Sequence, residues 1–199
     1  RVHICHVSTR GSTELIRQAK QRGVRVTAET CPHYFALTED KLLQRDADFR
    51  MNPPLREQAD VDAIIEGIRD GTFDCITTDH APHTKRDKRD FLTAPNGVVG
   101  METSLAAGIR FLVEPGHIDM SRLIALMSTN PARLLGIPAG SLTRGMPADV
   151  ALIDPRVIWT VLPERLHSKS KNSAFKFTQL QGVVKYTFTN GELAYVRRY

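Results

Sequence analysis

Thr77-Thr78-Asp79-His80-Ala81-Pro82-His83 is the segment whose residue types and spacing point most directly to chemistry. Asp79 leaves an apolar run, and a carboxylate at the end of a buried strand is costly unless it is paired, hydrogen-bonded or bound to a metal. Two imidazoles within four residues of it make a metal or acid–base site the functional reading. The plainer alternative is a strand-end aspartate that caps the next turn beside exposed histidines. His6 closes another apolar run beside Cys5, and strand alternation sends those two side chains to opposite sides. Alone, His6 reads as structural; sharing a sheet edge with Asp79 makes it a ligand candidate. His33 has no partner at ligand spacing and reads as structural. Cys5 offers a soft metal ligand and Glu29 a hard one, although both read more simply as core or as supports behind a site.

Two loops add candidates for binding. Met51-Asn52-Pro53-Pro54-Leu55-Arg56 is stiffened by its paired prolines. It can hold Asn52 as an amide partner for a ligand and Arg56 as a carboxylate clamp, against the plain reading of a connection with a surface charge. Ala94 to Thr103 gives a glycine-bearing turn before a helix. Its backbone N–H groups could meet an anion, although such turns are common.

The elements that must position these residues alternate in type. Val2–Val7, Val24–Glu29 and Phe73–Thr78 read as strands. Thr13–Arg22, capped by Ser12 after a turn over Ser8–Ser12, reads as a helix, and Gly23 ends it. After a long loop, Asp60 opens a helix with Val61, Ile64, Ile65 and Ile68 on one stripe, stopped by Gly71. Further helices are expected near Met101–Val113 and over Ser121–Leu135. Strands alternating with helices argue for a parallel α/β sheet, whose carboxyl edge would carry His6, His33, Asp79, His80 and His83. From residue 137 the chain is punctuated by Pro and Gly. Asp149–Ile153, Val157–Val161, Val183–Thr189 and Leu193–Val196 read as β in a small appendage. The division expected is therefore 1–136 and 137–199.

Composition excludes several classes. Apolar residues make up 41% and charged residues 25%, which is globular rather than disordered or fibrous. No apolar run approaches the ~20 residues of a membrane span. Three cysteines, Cys5, Cys31 and Cys75, argue against a disulfide framework and for a reducing, cytoplasmic setting. The chain opens at Arg1 with no leader pattern after it. The net charge of +5 leaves a nucleic-acid face conceivable, but the basic residues are scattered without interleaved aromatics, so a solvated surface is expected.

Together these strings resemble the dihydroorotase branch of the amidohydrolase superfamily. The matching pieces are His3-Ile4-Cys5-His6-Val7-Ser8, Val26-Thr27-Ala28-Glu29 with Cys31-Pro32-His33, Met51–Arg56, Thr78–His83 and Pro95–Thr103. Gly140-Ser141-Leu142, Gly145–Asp154 and Ser168-Lys169-Ser170-Lys171-Asn172 continue the match in the tail. The Asn-Pro-Pro-Leu-Arg and Asp-His-Ala-Pro-His pairing favours dihydroorotase over hydantoinase or allantoinase. The resemblance implies a metal-dependent (β/α)8 barrel, of which this chain matches the C-terminal part, about strands 6–8, plus a small C-terminal β segment.

By that resemblance, His6 and Asp79 are zinc ligands. Asp79 is also the catalytic base that takes a proton from the zinc-activated water and returns it to the leaving nitrogen. Asn52 and His83 bind the substrate's ring and carboxylate, and Asn96 and Gly97 complete the pocket, although many members carry an aromatic at the Asn96 position. The implied reaction interconverts dihydroorotate and N-carbamoyl-L-aspartate in pyrimidine synthesis, using one or two Zn2+ ions. A homodimer or an association with aspartate transcarbamoylase is compatible with it. The family's His-x-His pair, strand-four bridge, strand-five His and substrate Arg have no counterpart in these residues. Catalytic zinc usually takes three protein ligands. The expectation is a C-terminal piece of a dihydroorotase that is inactive alone. The alternatives are a non-catalytic homologue serving as a structural partner, a related cyclic amidohydrolase, and a basic nucleic-acid-binding module.

Overall fold

The computed structural model describes residues 1–197. Strands β1 (Val2–Ile4), β2 (Val26–Thr30) and β3 (Cys75–Ile76) form a sheet in that order. All pairings are parallel, with Val2 opposite Val26, Ile4 opposite Ala28 and Glu29 opposite Cys75. Parallel neighbours need a crossover, and helices α1 (Arg10–Gln21) and α3 (Gln58–Asp70) supply them.

The boundaries differ from the sequence reading for local reasons. Thr9, not Ser12, caps α1: its hydroxyl accepts the Ser12 N–H at 3.2 Å, and the helix takes in Gly11. Helix α3 starts after Glu57 rather than at Asp60, and ends as expected at Gly71 in the left-handed region. Strand β3 is only two residues long because Asp74 interrupts the ladder. Its carboxylate accepts the Ala28 N–H at 2.8 Å and the Lys20 ammonium at 2.7 Å. The expected long loop after β2 contains a short helix α2 (Pro32–Ala36) and two 3-10 turns, Glu39–Gln44 and Ala47–Phe49.

Alternation gives the sheet two unlike faces. Ala28 and Ile76 pack with Ile16, Ile64, Ile68, Phe73, Leu112, Leu123 and Leu126 in one apolar cluster under the helices. His3, Thr27, Glu29 and Thr77 hydrogen-bond to one another on the other face. Helix α4 (Ser104–Gly108) runs on through a π-type stretch, Ile109–Val113. The segment expected as Ser121–Leu135 is α5 (Met120–Ile124), a π-type stretch Ala125–Thr129 and α6 (Asn130–Leu135). Asp119 caps it by accepting the Arg122 N–H at 2.7 Å.

Strands β4 (Val150–Thr160), β5 (Gln179–Thr189) and β6 (Glu192–Val196) make an antiparallel sheet in chain order. The two strands expected on either side of Pro155 are one strand, with a register shift between Asp154 and Ile158. Proline has no N–H to give the ladder, so the break falls where it must. Asn190 and Gly191 both have positive φ, the geometry of a tight hairpin between β5 and β6. Gly182 of β5 also has positive φ, and a Cβ there would run into Ile109. Val161, Leu166, Ala174, Phe175 and Leu180 share a core cluster with Tyr34, Phe49, Met51, Leu55, Val98 and Val99. The tail thus packs on the loops that follow β2 and β3. Among the described residues, no helix is long and apolar enough to cross a membrane.

His33 in α2 is 2% exposed, and its Nε2 has no hydrogen-bond partner. Burial pushes its pKa down to about 3, with the nearby His6 adding to the shift. Between its ordinary value near 6.5 and that value, the unfolded chain takes up a proton that the folded chain refuses. Stability from this residue is therefore full above pH ~6.5 and falls by about 1.4 kcal/mol per pH unit below it. His33→Phe should remove that component. Between pH 7.5 and 5 the parent protein should lose about 2 kcal/mol more unfolding free energy than the variant. Urea titrations at the two pH values measure the difference, and equal losses would contradict the assignment.

Candidate active site

His6 and Asp79 lie just beyond β1 and β3, and both are in the left-handed backbone region, with φ of 55° and 46°. Such a conformation costs a non-glycine residue about 1–2 kcal/mol, and it concentrates where function needs it. Here it turns both side chains to one place: His6 Nε2 lies 3.6 Å from Asp79 Oδ1. Sequence alternation put Cys5 and His6 on opposite sides. The positive φ of His6 breaks that alternation, and both residues face Glu29.

Glu29, 8% exposed, is the hub. Its Oε1 accepts the Thr77 hydroxyl at 3.0 Å and lies 3.2 Å from His6 Nδ1. Its Oε2 is 3.1 Å from His3 Nε2, and His3 Nδ1 is 2.9 Å from the Thr27 hydroxyl. The Cys31 sulfur also lies 3.5 Å from His6 Nδ1. Nδ1 therefore faces Glu29 and Cys31, and Nε2 faces Asp79.

Zinc bonds of about 2.1 Å in a tetrahedral centre set neighbouring ligand atoms about 3.4 Å apart. The 3.6 Å between His6 Nε2 and Asp79 Oδ1 fits two such ligands, and a carboxylate behind the other imidazole nitrogen is the usual support. A second grouping, His3, Cys5 and Glu29, brings one donor atom from each residue within 4.8 Å of the others. None of the thiols is set up as a nucleophile. Burial raises the pKa of all three, Cys75 to about 11, and the Glu29 charge adds to the rise at Cys5.

Four of the remaining sequence candidates, His80, His83, Asn96 and Gly97, lie on two loops that touch. His80 bridges to Val98, and Ala81 donates its N–H to the Val98 carbonyl at 2.8 Å. His83 Nε2 is 2.9 Å from the Asn96 carbonyl, so that nitrogen donates. Gly97 sits in the seam at φ 135°, where a Cβ would come within 2.6 Å of Ala81 Cβ and 2.9 Å of His83 Nε2. Three of the N–H groups proposed for an anion are used inside the fold. Gly97 donates to the Arg50 carbonyl, Val99 to the Asn172 carbonyl and Gly100 to His80 Nδ1. Asn52 is exposed, on a loop anchored by buried Met51 and Leu55 and by the Tyr34 hydroxyl, which donates to the Pro53 carbonyl at 2.7 Å. Arg56 donates to the Ser8 hydroxyl at 3.3 Å instead of standing free as a clamp.

The sequence profile of the Amidohydrolase family matches residues 1–194. The chain belongs to the amidohydrolase family. Among the relatives of this amidohydrolase is the dihydroorotase of Acetivibrio thermocellus, 49% identical over 193 residues, a match covering 96% of this chain and 45% of the relative. That of Geotalea daltonii is 48% identical over 197 residues, covering 98% and 46%. The chain therefore spans about half the length of the curated relatives it matches. Solved structures similar to it include the L-hydantoinase (dihydropyrimidinase) of Arthrobacter aurescens, with TM-score 0.94 at 29% identity, covering 100% of this chain and 46% of that one. The dihydropyrimidinase of Brevibacillus agri NCHU1002 gives 0.91 at 29%, covering 98% and 44%.

Two residues of this candidate site were only partly legible in the sequence. Glu29 was read as a hard ligand, a core residue or a support behind a site, and the structure gives it the support position; the signal is that it shares a sheet face with His3 and Thr77. Asn172 is 4% exposed and bonds to both loops, yet only the family-like Ser168–Asn172 string drew attention to it. Gly97→Ala should push His83 off the Asn96 carbonyl while leaving His6 and Asp79 in place. A crystal structure of the variant checks this; an unmoved His83 ring would refute the seam.

Proposed function

We propose that this chain is the part of a zinc-dependent dihydroorotase that supplies two metal ligands, the catalytic base and part of the substrate pocket. The observation that carries the reading is the His6–Asp79 pair at 3.6 Å with Glu29 behind His6. Identity of 48–49% to dihydroorotases, against 29% to the structurally similar hydantoinase and dihydropyrimidinase, supports the substrate choice. In this reading residues 1–136 are the last strands, about 6–8, of a (β/α)8 barrel, and 137–199 are its β appendage. The further zinc ligands lie in the additional length that the relatives have. The setting is the cytoplasm, and association with a second copy or with aspartate transcarbamoylase belongs to the same reading.

Zinc bound at this pair supplies an acidified water and polarises the amide carbonyl. His6 offers Nε2, the ring nitrogen on the side of Asp79, and Glu29 lies behind Nδ1. Asp79 accepts the proton of the attacking water and delivers it to the ring nitrogen as the C–N bond breaks, yielding N-carbamoyl-L-aspartate. The reverse passage of that proton closes the ring. Asn52 and His83 bind the ring amide and the carboxylate, and the Asn96–Gly97 turn fixes the His83 ring.

Asp79→Ala, made in the intact protein that contains this sequence, should cut dihydroorotate turnover by at least about 10³-fold. Turnover near the parent level in a folded variant would sink the proposal. Faster hydrolysis of hydantoin or dihydrouracil than of dihydroorotate by the parent would move the substrate to the hydantoinase type.

A further inference from the structure

We infer that Asn172, from the C-terminal segment, is a positioning residue that sets the geometry of the two substrate loops. The inference rests on the proposed roles of His83, Asn96 and Gly97, and it adds a residue on which all three depend. Asn172 is 4% exposed and uses its whole amide. Oδ1 accepts the His83 N–H at 3.3 Å. Nδ2 donates to the Ala81 carbonyl at 3.2 Å and to the Gly97 carbonyl at 3.0 Å. Its own carbonyl accepts the Val99 N–H at 3.0 Å. One residue of the tail therefore holds the 79–83 loop and the 96–99 loop at a fixed separation.

Only an amide fits that place. It must accept from one N–H and donate to two carbonyls at once, a combination that no carboxylate, hydroxyl or apolar group provides. The second support is Lys88, half-buried, whose ammonium donates to the Gly97 carbonyl at 2.9 Å and the Pro95 carbonyl at 3.0 Å. The Gly97 carbonyl thus has two donors, and its N–H is tied to Arg50. Gly97 cannot shift without breaking three bonds. Because Gly97 abuts the His83 ring at a distance that excludes even a methyl group, its position fixes where that ring can sit.

Asn172 touches neither His6 nor Asp79 among its hydrogen bonds, so its loss should affect binding and spare the chemical step. In the intact, zinc-loaded protein, Asn172→Asp keeps the shape, turns the donor into an acceptor and sets a charge against two carbonyls. Its KM for dihydroorotate should rise at least tenfold, with kcat within threefold and zinc content unchanged. Lys88→Met should move KM the same way by a smaller factor, which keeps the test open if Asn172→Asp does not fold. An unchanged KM in the folded variants, or a fall in kcat at constant KM, would overturn the inference. Amide exchange of His83 in Asn172→Ala judges the latch without any substrate: that amide loses its Oδ1 acceptor and should lose protection at least tenfold, and unchanged protection would refute it. A parent protein that does not turn over dihydroorotate would instead remove the proposed function, leaving the exchange result to stand or fall alone.

Discussion

A carboxylate removed from water must be met by donors, and the arrangement of this sheet follows from how Glu29 is met. Its two oxygens face His3 and His6 from the first strand and its continuation, and Thr77 from just past the third. Strand register and side-chain direction are therefore tied to one buried charge as well as to apolar packing on the opposite face. A slip of a single residue would turn Glu29 into the cluster that holds Ile64, Ile68 and Phe73. The same carboxylate also lies 3.2 Å from His6 Nδ1, so the register of the sheet and the surroundings of that imidazole depend on one group.

The left-handed backbone at His6 and Asp79 is the local expense of that arrangement. Two strained residues at about 1–2 kcal/mol each are a noticeable fraction of a typical domain's stability. They persist because their flanks are fixed. Val7 donates its N–H to the Glu29 carbonyl at 3.0 Å, Thr77 to the Thr30 carbonyl at 2.9 Å and Ala81 to Val98 at 2.8 Å. The backbone just beyond each strained residue is thus held by the neighbouring segment and cannot relax alone.

The parallel order of the first three strands, and the gathering of ionisable groups at their carboxyl ends, could be read from the sequence. Apolar runs alternate with helical stripes, and the polar residues follow each run. The hairpin strands in the tail were readable in the same way. Strand ends were not, because Asp74 substitutes its side chain for a ladder carbonyl, which residue type alone does not announce. Thr9 and Ser12 are equivalent as caps until the backbone chooses between them. The turn at His6 was hidden because histidine seldom takes positive φ. Asn172 was hidden for a different reason: its partners Ala81 and Gly97 are 91 and 75 residues away, and no local pattern spans that distance.

That separation in sequence also separates the parts of the site in time. Asn172 follows His83 by 89 residues, so at about 5–20 residues per second it leaves the ribosome roughly 5–20 seconds after the loop it will hold. During that interval His6, Glu29 and Asp79 are already made, and their strands can pair. The Ala81 carbonyl meanwhile remains with water, and the Gly97 carbonyl has Lys88 as its one side-chain donor. The nascent chain thus makes the charged group first and the residue that ties the two loops last, and a truncation between residues 100 and 171 leaves the first without the second.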